Sequence, residues 1–349
     1  MRQSIAEMGS ALIDFSEPAS SPEEERLYAF AAAVRPWMAP GLDLSRVGGE
    51  GDGAYVMAPF DDAEGAISIG VGHDVTIAEL AALVKRVVGY SKSPSTTQRA
   101  KELGVIDVAA ESALLAVSGS DIVLMAVPVA ATETTFKAIR HLVEPGVLFM
   151  DVGSTKRDVV DAARRVLRER VGSFVPAHPI AGKESAGIQH ADASLYSGRQ
   201  VILTPLSQTA PELVQKATDV WSAIGAQVLK MTPENHDAAF AAVSHLPHLL
   251  AFAYFSAVMN QPAGRDFLSL AGPGFRDFTR IAASSPEMWR DVLVANREEV
   301  LKQSQRFRHA LDALEHVMRT GNADALEDLI RGAAEGRANW QMGAPRTPR

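Results

Sequence analysis

The chain of 349 residues contains no cysteine. That excludes disulfides and thiolate metal sites, and it fits a reducing compartment. Excess positive charge is also missing. The net charge is −8, so nothing draws the chain as a whole toward nucleic acid or anionic lipid. No apolar run reads as long enough to span a bilayer. The first residues, "MRQSIAEMGSALIDFSEP", lack the apolar core and small-residue cleavage site of a signal peptide. These absences predict a soluble cytoplasmic protein with neither nucleic acid nor membrane as partner.

What is present is ordinary for a globular chain: 47% apolar and 22% charged residues, over a length that commonly makes two domains. Residues 1–62 read as an N-terminal extension of unclear role, with a linker-like "SEPASSPEEER" and a Gly/Asp-rich, turn-forming "RVGGEGDGAYVMAPFDDAEG". Over 63–208, short apolar runs alternate with helical stretches. The runs are "AISIGV", "KRVVGY", "DIVLMAVP", "VLFMDVG", "SFVPAHP" and "RQVILTP". Such alternation predicts β-α-β units and a Rossmann-like, doubly wound, mainly parallel α/β sheet. Residues 209–340 predict an all-α domain. Thr232-Pro233 and Ser285-Pro286 open helices. The first should run to about Asn260 with a break near Pro247; the second should run to about Arg319. Asn322 should cap a last helix.

Four segments carry candidate chemistry. "DVGSTK" (151–156) ends a predicted strand, where open α/β sheets place ligands; Ser154 serves there as a ligand group or as a helix cap. "PAHPIAGKESAG" (176–187) ends a strand on His178, with Glu184 in the following loop. His178 either exchanges a proton near neutral pH or is satisfied by backbone. "SHLPHLLAFA" (244–253) sets His245 and His248 near one helix face, as an active pair or a core pair. It lacks the carboxylate, cysteine or third ligand a metal site needs, so no metal is expected. "GPGFRDFTRIAASSPEMWRD" (272–291) sets Arg276 and Arg280 four apart around Asp277. One arginine can pair with Asp277 while the other offers a fork to a ligand carboxylate; the alternative is a surface salt bridge.

Together with "LYSGRQVILTP", these segments resemble the prephenate/arogenate dehydrogenase family of tyrosine biosynthesis, over roughly 84–340. The resemblance implies an N-terminal Rossmann domain for NAD or NADP, a helical domain that builds a homodimer, and a small-molecule substrate, prephenate or arogenate. It implies that His178 is the catalytic histidine at the substrate's ring hydroxyl, with Ser154 as its hydrogen-bonding companion. His248 and His245 become active-site helix residues, Arg280 the ligand of the side-chain carboxylate and Glu184 a gating acid. Trp289 matches a tryptophan that approaches the neighbouring subunit's site. Val127 and Pro128, in "AVPVA", should line the nicotinamide half of the cleft.

The cofactor loop is atypical. Gly70 and Gly72 fill the first two places of a dinucleotide fingerprint, but Val75 stands in the third and Asp74 adds a negative charge. At the end of the next strand, Ser91 and Lys92 stand where NAD enzymes commonly place an acid, which points to NADP over NAD. Residues 45–80 also resemble the leader of FkbM-type methyltransferase-like proteins. Two further readings follow: a methyltransferase-like N-terminal fusion, and a non-catalytic homologue with an impaired cofactor loop.

Overall fold

In a computed structural model of the chain, the described residues are 86–142, 144–181 and 192–341, preceded by three two-residue strands. These are β1 (Asp14–Phe15), β2 (Gly53–Ala54) and β3 (Ile69–Gly70). The rest of the N-terminal extension, including Gly72 and nearly all of the FkbM-like stretch, lies outside the described residues, as does Glu184.

The chain divides by its internal contacts into two units. The first comprises residues 1–237 and 284–295, the second 238–283 and 296–349. In the first unit the alternation of the sequence becomes β4 (Val88–Ser91), α1 (Pro94–Glu102), β5 (Val108–Ala109), α2 (Ala113–Val117), β6 (Ile122–Met125), α3 (Thr132–Ile139), β7 (Leu148–Asp151), α4 (Arg157–Leu167) and β8 (Phe174–Val175). There follow β9 (Ala177–Pro179), β10 (Gln200–Leu203), α5 (Pro211–Ala223) and β11 (Gln227–Lys230). Strands β6, β7 and β8 pair in parallel. So do β1, β4 and β5, and β10 with β11. Only β9 runs antiparallel within these sheets, to β10.

The core explains why the apolar runs are continuous rather than alternating. Successive side chains on a strand face opposite ways, and helices cover both faces. Ile122, Leu124, Leu148, Met150 and Val175 join a buried cluster with Tyr196 and Trp221. Val123, Met125, Phe149 and Phe174 join a second cluster with Phe136 and the apolar side of α4.

Two expectations about this unit need correction. The α/β region does not stop at 208. Helix α5 and strand β11 add to it, with β11 pairing along its whole length with β10. Sequence reading missed β11 because "QVLK" is largely exposed and carries no apolar run. The strand at Ile69–Gly70, expected to open the parallel sheet, instead pairs antiparallel with Gly53–Ala54. The parallel neighbour of Tyr90 and Ser91 is the Asp14–Phe15 strand.

Helix α6 (Pro233–Met259) starts in the first unit and continues into the second. Thr232 Oγ1 accepts the backbone N–H of Asn235, as a cap should. The helix is not broken at Pro247. A widened π-turn at Ala241–His245 absorbs the proline, which lacks the donor a regular turn would use. At 27 residues α6 is long and apolar enough to cross a bilayer, contrary to the sequence expectation. His236, Asp237, His245 and His248 lie along it, each hydrogen-bonded within the protein.

The second unit continues with α7 (Gly264–Ser269) and α8 (Pro273–Thr279). Helix α9 (Pro286–Ala295) returns to the first unit, and α10 (Arg297–Thr320) and α11 (Ala323–Asn339) complete the second. Ser285 Oγ accepts the N–H of Met288, and Asn322 Oδ1 accepts that of Ala325. The long helix expected from Ser285 to Arg319 is two helices, interrupted at the buried Asn296.

Candidate active site

His178 lies in the middle of β9 and is buried. What holds β9 in place is an ion pair within the "DVGSTK" segment. Asp151, the last residue of β7, accepts the backbone N–H of Ala177 through Oδ1. Its Oδ2 accepts the N–H of Gly153 and pairs with the ammonium of Lys156. Lys156 Nζ also donates to the carbonyl oxygen of Ala177. One carboxylate and one ammonium thus clamp both backbone groups of the residue before His178. Gly153 is required here: a Cβ on it would lie 2.9 Å from Asp151 Oδ2.

Behind His178 stands a pair that sequence reading missed. His178 Nδ1 is 2.7 Å from Nε2 of His236. Nδ1 of His236 is 2.7 Å from Oδ1 of Asp237. Asp237 in turn caps α4: Oδ1 accepts the backbone N–H of Lys156 and Oδ2 that of Arg157. Ser154, read from sequence as a ligand group or a helix cap, is buried in the β7–α4 loop, and the side chain that caps α4 is that of Asp237. Burial pushes the His236 pKa below its usual value, against the opposing pull of Asp237. Burial also works to raise Asp237, but the hydrogen bonds from His236, Arg157 and Lys156 together hold its pKa below the usual carboxylate value. The adjacent His-Asp just past the first turn of a capped helix, "TPENHD", was the available signal.

Of the expected cofactor residues that are described, all but Gly70 follow or end parallel strands at their carboxyl ends. Ser91 is buried at the end of β4, its Oγ accepting the N–H of Ser93. Lys92 follows and is exposed. Val127 is buried and Pro128 half-buried just after β6. Gly70 ends β3, away from that row of pairings. As a donor set, a lysine with flanking serines fits the ribose end of a dinucleotide. Trp289 is buried on α9, and α9 packs against the turn Val129–Ala131, next to Pro128 in the same chain.

In the second unit, His245 is buried with Nδ1 3.1 Å from the side-chain nitrogen of Asn296. His248 Nδ1 donates to the carbonyl oxygen of Ser244. Burial lowers the His248 pKa most; the Ser244 carbonyl opposes, and the charge of Arg280 lowers it further. His248 and Arg280 therefore share a neighbourhood. Arg280 is exposed, and it is Arg276 that pairs with Asp277, at 3.0 Å. Among the described residues no cluster of three potential ligands is suited to a metal ion.

An α/β unit of mainly parallel strands carrying a buried, relayed imidazole, followed by a helical unit, defines the class of two-part Rossmann-like proteins. Comparison narrows this. Residues 81–230 match the family model described as prephenate dehydrogenase, nucleotide-binding domain, and residues 232–332 match the prephenate dehydrogenase dimerization domain. The chain belongs to the prephenate dehydrogenase family. It is 33% identical to the prephenate dehydrogenase of Bacillus subtilis, over 72% of this chain and 68% of that one. It is 30% identical to the cyclohexadienyl dehydrogenase of Zymomonas mobilis, over 71% and 85%. The crystal structure of Aquifex aeolicus prephenate dehydrogenase in complex with hydroxyphenyl propionate and NAD+ superposes with a TM-score of 0.72, at 26% identity, covering 94% of this chain and 97% of that one.

Proposed function

We propose that this chain catalyses the NAD(P)-dependent oxidative decarboxylation of prephenate or arogenate, as a cytoplasmic homodimer. The observation that carries the reading is the buried His178, clamped by Asp151 and Lys156 and backed by His236, in a chain of this family. In this reading Ser91, Lys92, Val127 and Pro128 hold the dinucleotide, with Lys92 favouring NADP. The bound cofactor supplies the acceptor for the ring hydride.

His178 takes the proton of the substrate's ring hydroxyl as that carbon gains carbonyl character. Ser154 hydrogen-bonds at the same hydroxyl. Arg280 binds the side-chain carboxylate, and His245 and His248 complete the polar lining. Glu184 gates the cleft. The ring carboxylate leaves as carbon dioxide, and the carbon–carbon bond electrons complete the aromatic ring. Apolar side chains exposed on the helices of a single chain, including Phe267, Phe278, Met318 and Ile330, provide the faces a dimer would cover.

A spectrophotometric assay with each substrate and each cofactor tests this. One pairing should yield reduced cofactor, and His178→Asn should lower kcat about 10²–10⁴-fold with little change in binding. Arg280→Ala should act mainly on KM. No cofactor reduction with any pairing would overturn the reading. One observation speaks for the cofactor-impaired alternative: the nucleotide-binding match opens at residue 81, beyond Gly70 and Gly72. Calorimetric titration with NADP, NAD and S-adenosylmethionine separates that alternative, and the methyltransferase-like one, from the dehydrogenase.

A further inference from the structure

We infer that His236 and Asp237 are positioning residues that hold His178 in its Nδ1–H tautomer, so that Nε2 is the nitrogen that receives the substrate's proton. The argument is a count of donors and acceptors. Both oxygens of Asp237 accept backbone N–H groups, from Lys156 and Arg157. A backbone N–H can only donate, so Asp237 is held as a carboxylate acceptor. The contact at 2.7 Å from its Oδ1 to His236 Nδ1 then requires the proton on His236 Nδ1. In a neutral ring this leaves Nε2 of His236 as a lone pair. His178 Nδ1, 2.7 Å away, must donate to it. Neutral His178 is left with its lone pair on Nε2.

The competing arrangement makes His236 an imidazolium that donates to His178 and moves the His178 proton to Nε2. It would place a cation in a ring with no solvent exposure. The charges around His236 are those of Asp237, Lys156 and Asp151; with burial, their sum favours the neutral ring. When His178 gains its second proton, Nδ1–H keeps its acceptor, and the new charge faces the carboxylate of Asp237 across a single neutral ring. A second imidazole thus stands where catalytic triads put a carboxylate, with the carboxylate one step further back.

This rests on reading His178 as the base, but it can be tested without turnover. Nitrogen-15 NMR of histidine-labelled protein, assigned by the signal lost in His178→Asn, reads the tautomer directly. In the resting protein His178 should show a protonated Nδ1 and a bare Nε2. His236→Leu, which offers no acceptor, should shift the His178 proton to Nε2. It should lower kcat about 10²–10⁴-fold with KM within about threefold. His236→Gln, whose amide oxygen can accept, should recover at least about tenfold of that loss and restore the Nδ1–H signature. A wild-type spectrum showing Nε2–H overturns the inference, even if His236→Leu fails to fold. So does a folded His236→Leu variant with wild-type tautomer and kcat. A protein that reduces no cofactor yet shows Nδ1–H would sink the dehydrogenase reading and leave this assignment in place.

Discussion

The carboxylate of Asp237 accepts the backbone N–H of Lys156 at 2.9 Å, across 81 positions of sequence. With the bond to Arg157, one side chain fills the N-terminus of α4 while fixing the ring of His236. Helix starts leave backbone donors unpaired, and a capping carboxylate also meets the positive end of the helix dipole. Asp237→Ala should therefore destabilise the protein by about 2 kcal/mol, from the lost cap and the exposed polar partners. Urea unfolding should show a lower midpoint at unchanged slope. An unchanged midpoint would refute the cap.

The pair of Lys156 and Asp151 is buried, and it holds both backbone groups of Ala177. Removing one partner of a buried pair strands the other charge. Lys156→Met should cost about 3–5 kcal/mol, far above the value of an exposed pair. A loss under about 1 kcal/mol would show that Asp151 finds other compensation.

In the helical unit, Asn296→Ala removes the amide facing His245. Both residues are buried, so a cost of about 1–3 kcal/mol is expected. Arg319→Ala, which breaks the exposed pair with Glu315, should stay within about 0.5 kcal/mol. Thermal unfolding of the two variants side by side should rank them in that order.

Stability should fall on acidification in two stages. His236 and His248 are held below the usual histidine value of 6.5, chiefly by burial. Below 6.5 the unfolded chain binds protons that the folded rings resist, so stability is full above 6.5 and declines beneath it. Asp237 is held below 3.8, and its contribution is lost as pH falls from there through its folded value. Asp158 works the other way, since burial raises its carboxyl. Melting temperature followed from pH 8 to pH 3 checks this, with the upper stage reduced in His236→Gln. Stability rising between pH 6.5 and 5 would contradict it.

Much of the layout is legible in the residues. Continuous apolar runs such as "DIVLMAVP" require cover on both faces, and the two clusters of side chains supply it. Thr232, Ser285 and Asn322 cap helices by local hydrogen bonds, so short sequence stretches suffice to find them. The motif around His178 stands out for the same reason: strand, histidine and glycine-bearing loop are contiguous.

What sequence alone determined is therefore local: periodicity, caps, and the residue types gathered into each motif. Only the tertiary structure decided the rest. Strand β11 joins the sheet through backbone pairing that needs no apolar pattern. Asn296 ends a helix in favour of a buried partner 51 positions away. His236 and Asp237 reach His178 and Lys156 because a distant helix start is packed against the β7–α4 loop. Hydrogen bonds of a few ångströms act between groups that folding brings together, and separation along the chain leaves no periodic trace of them.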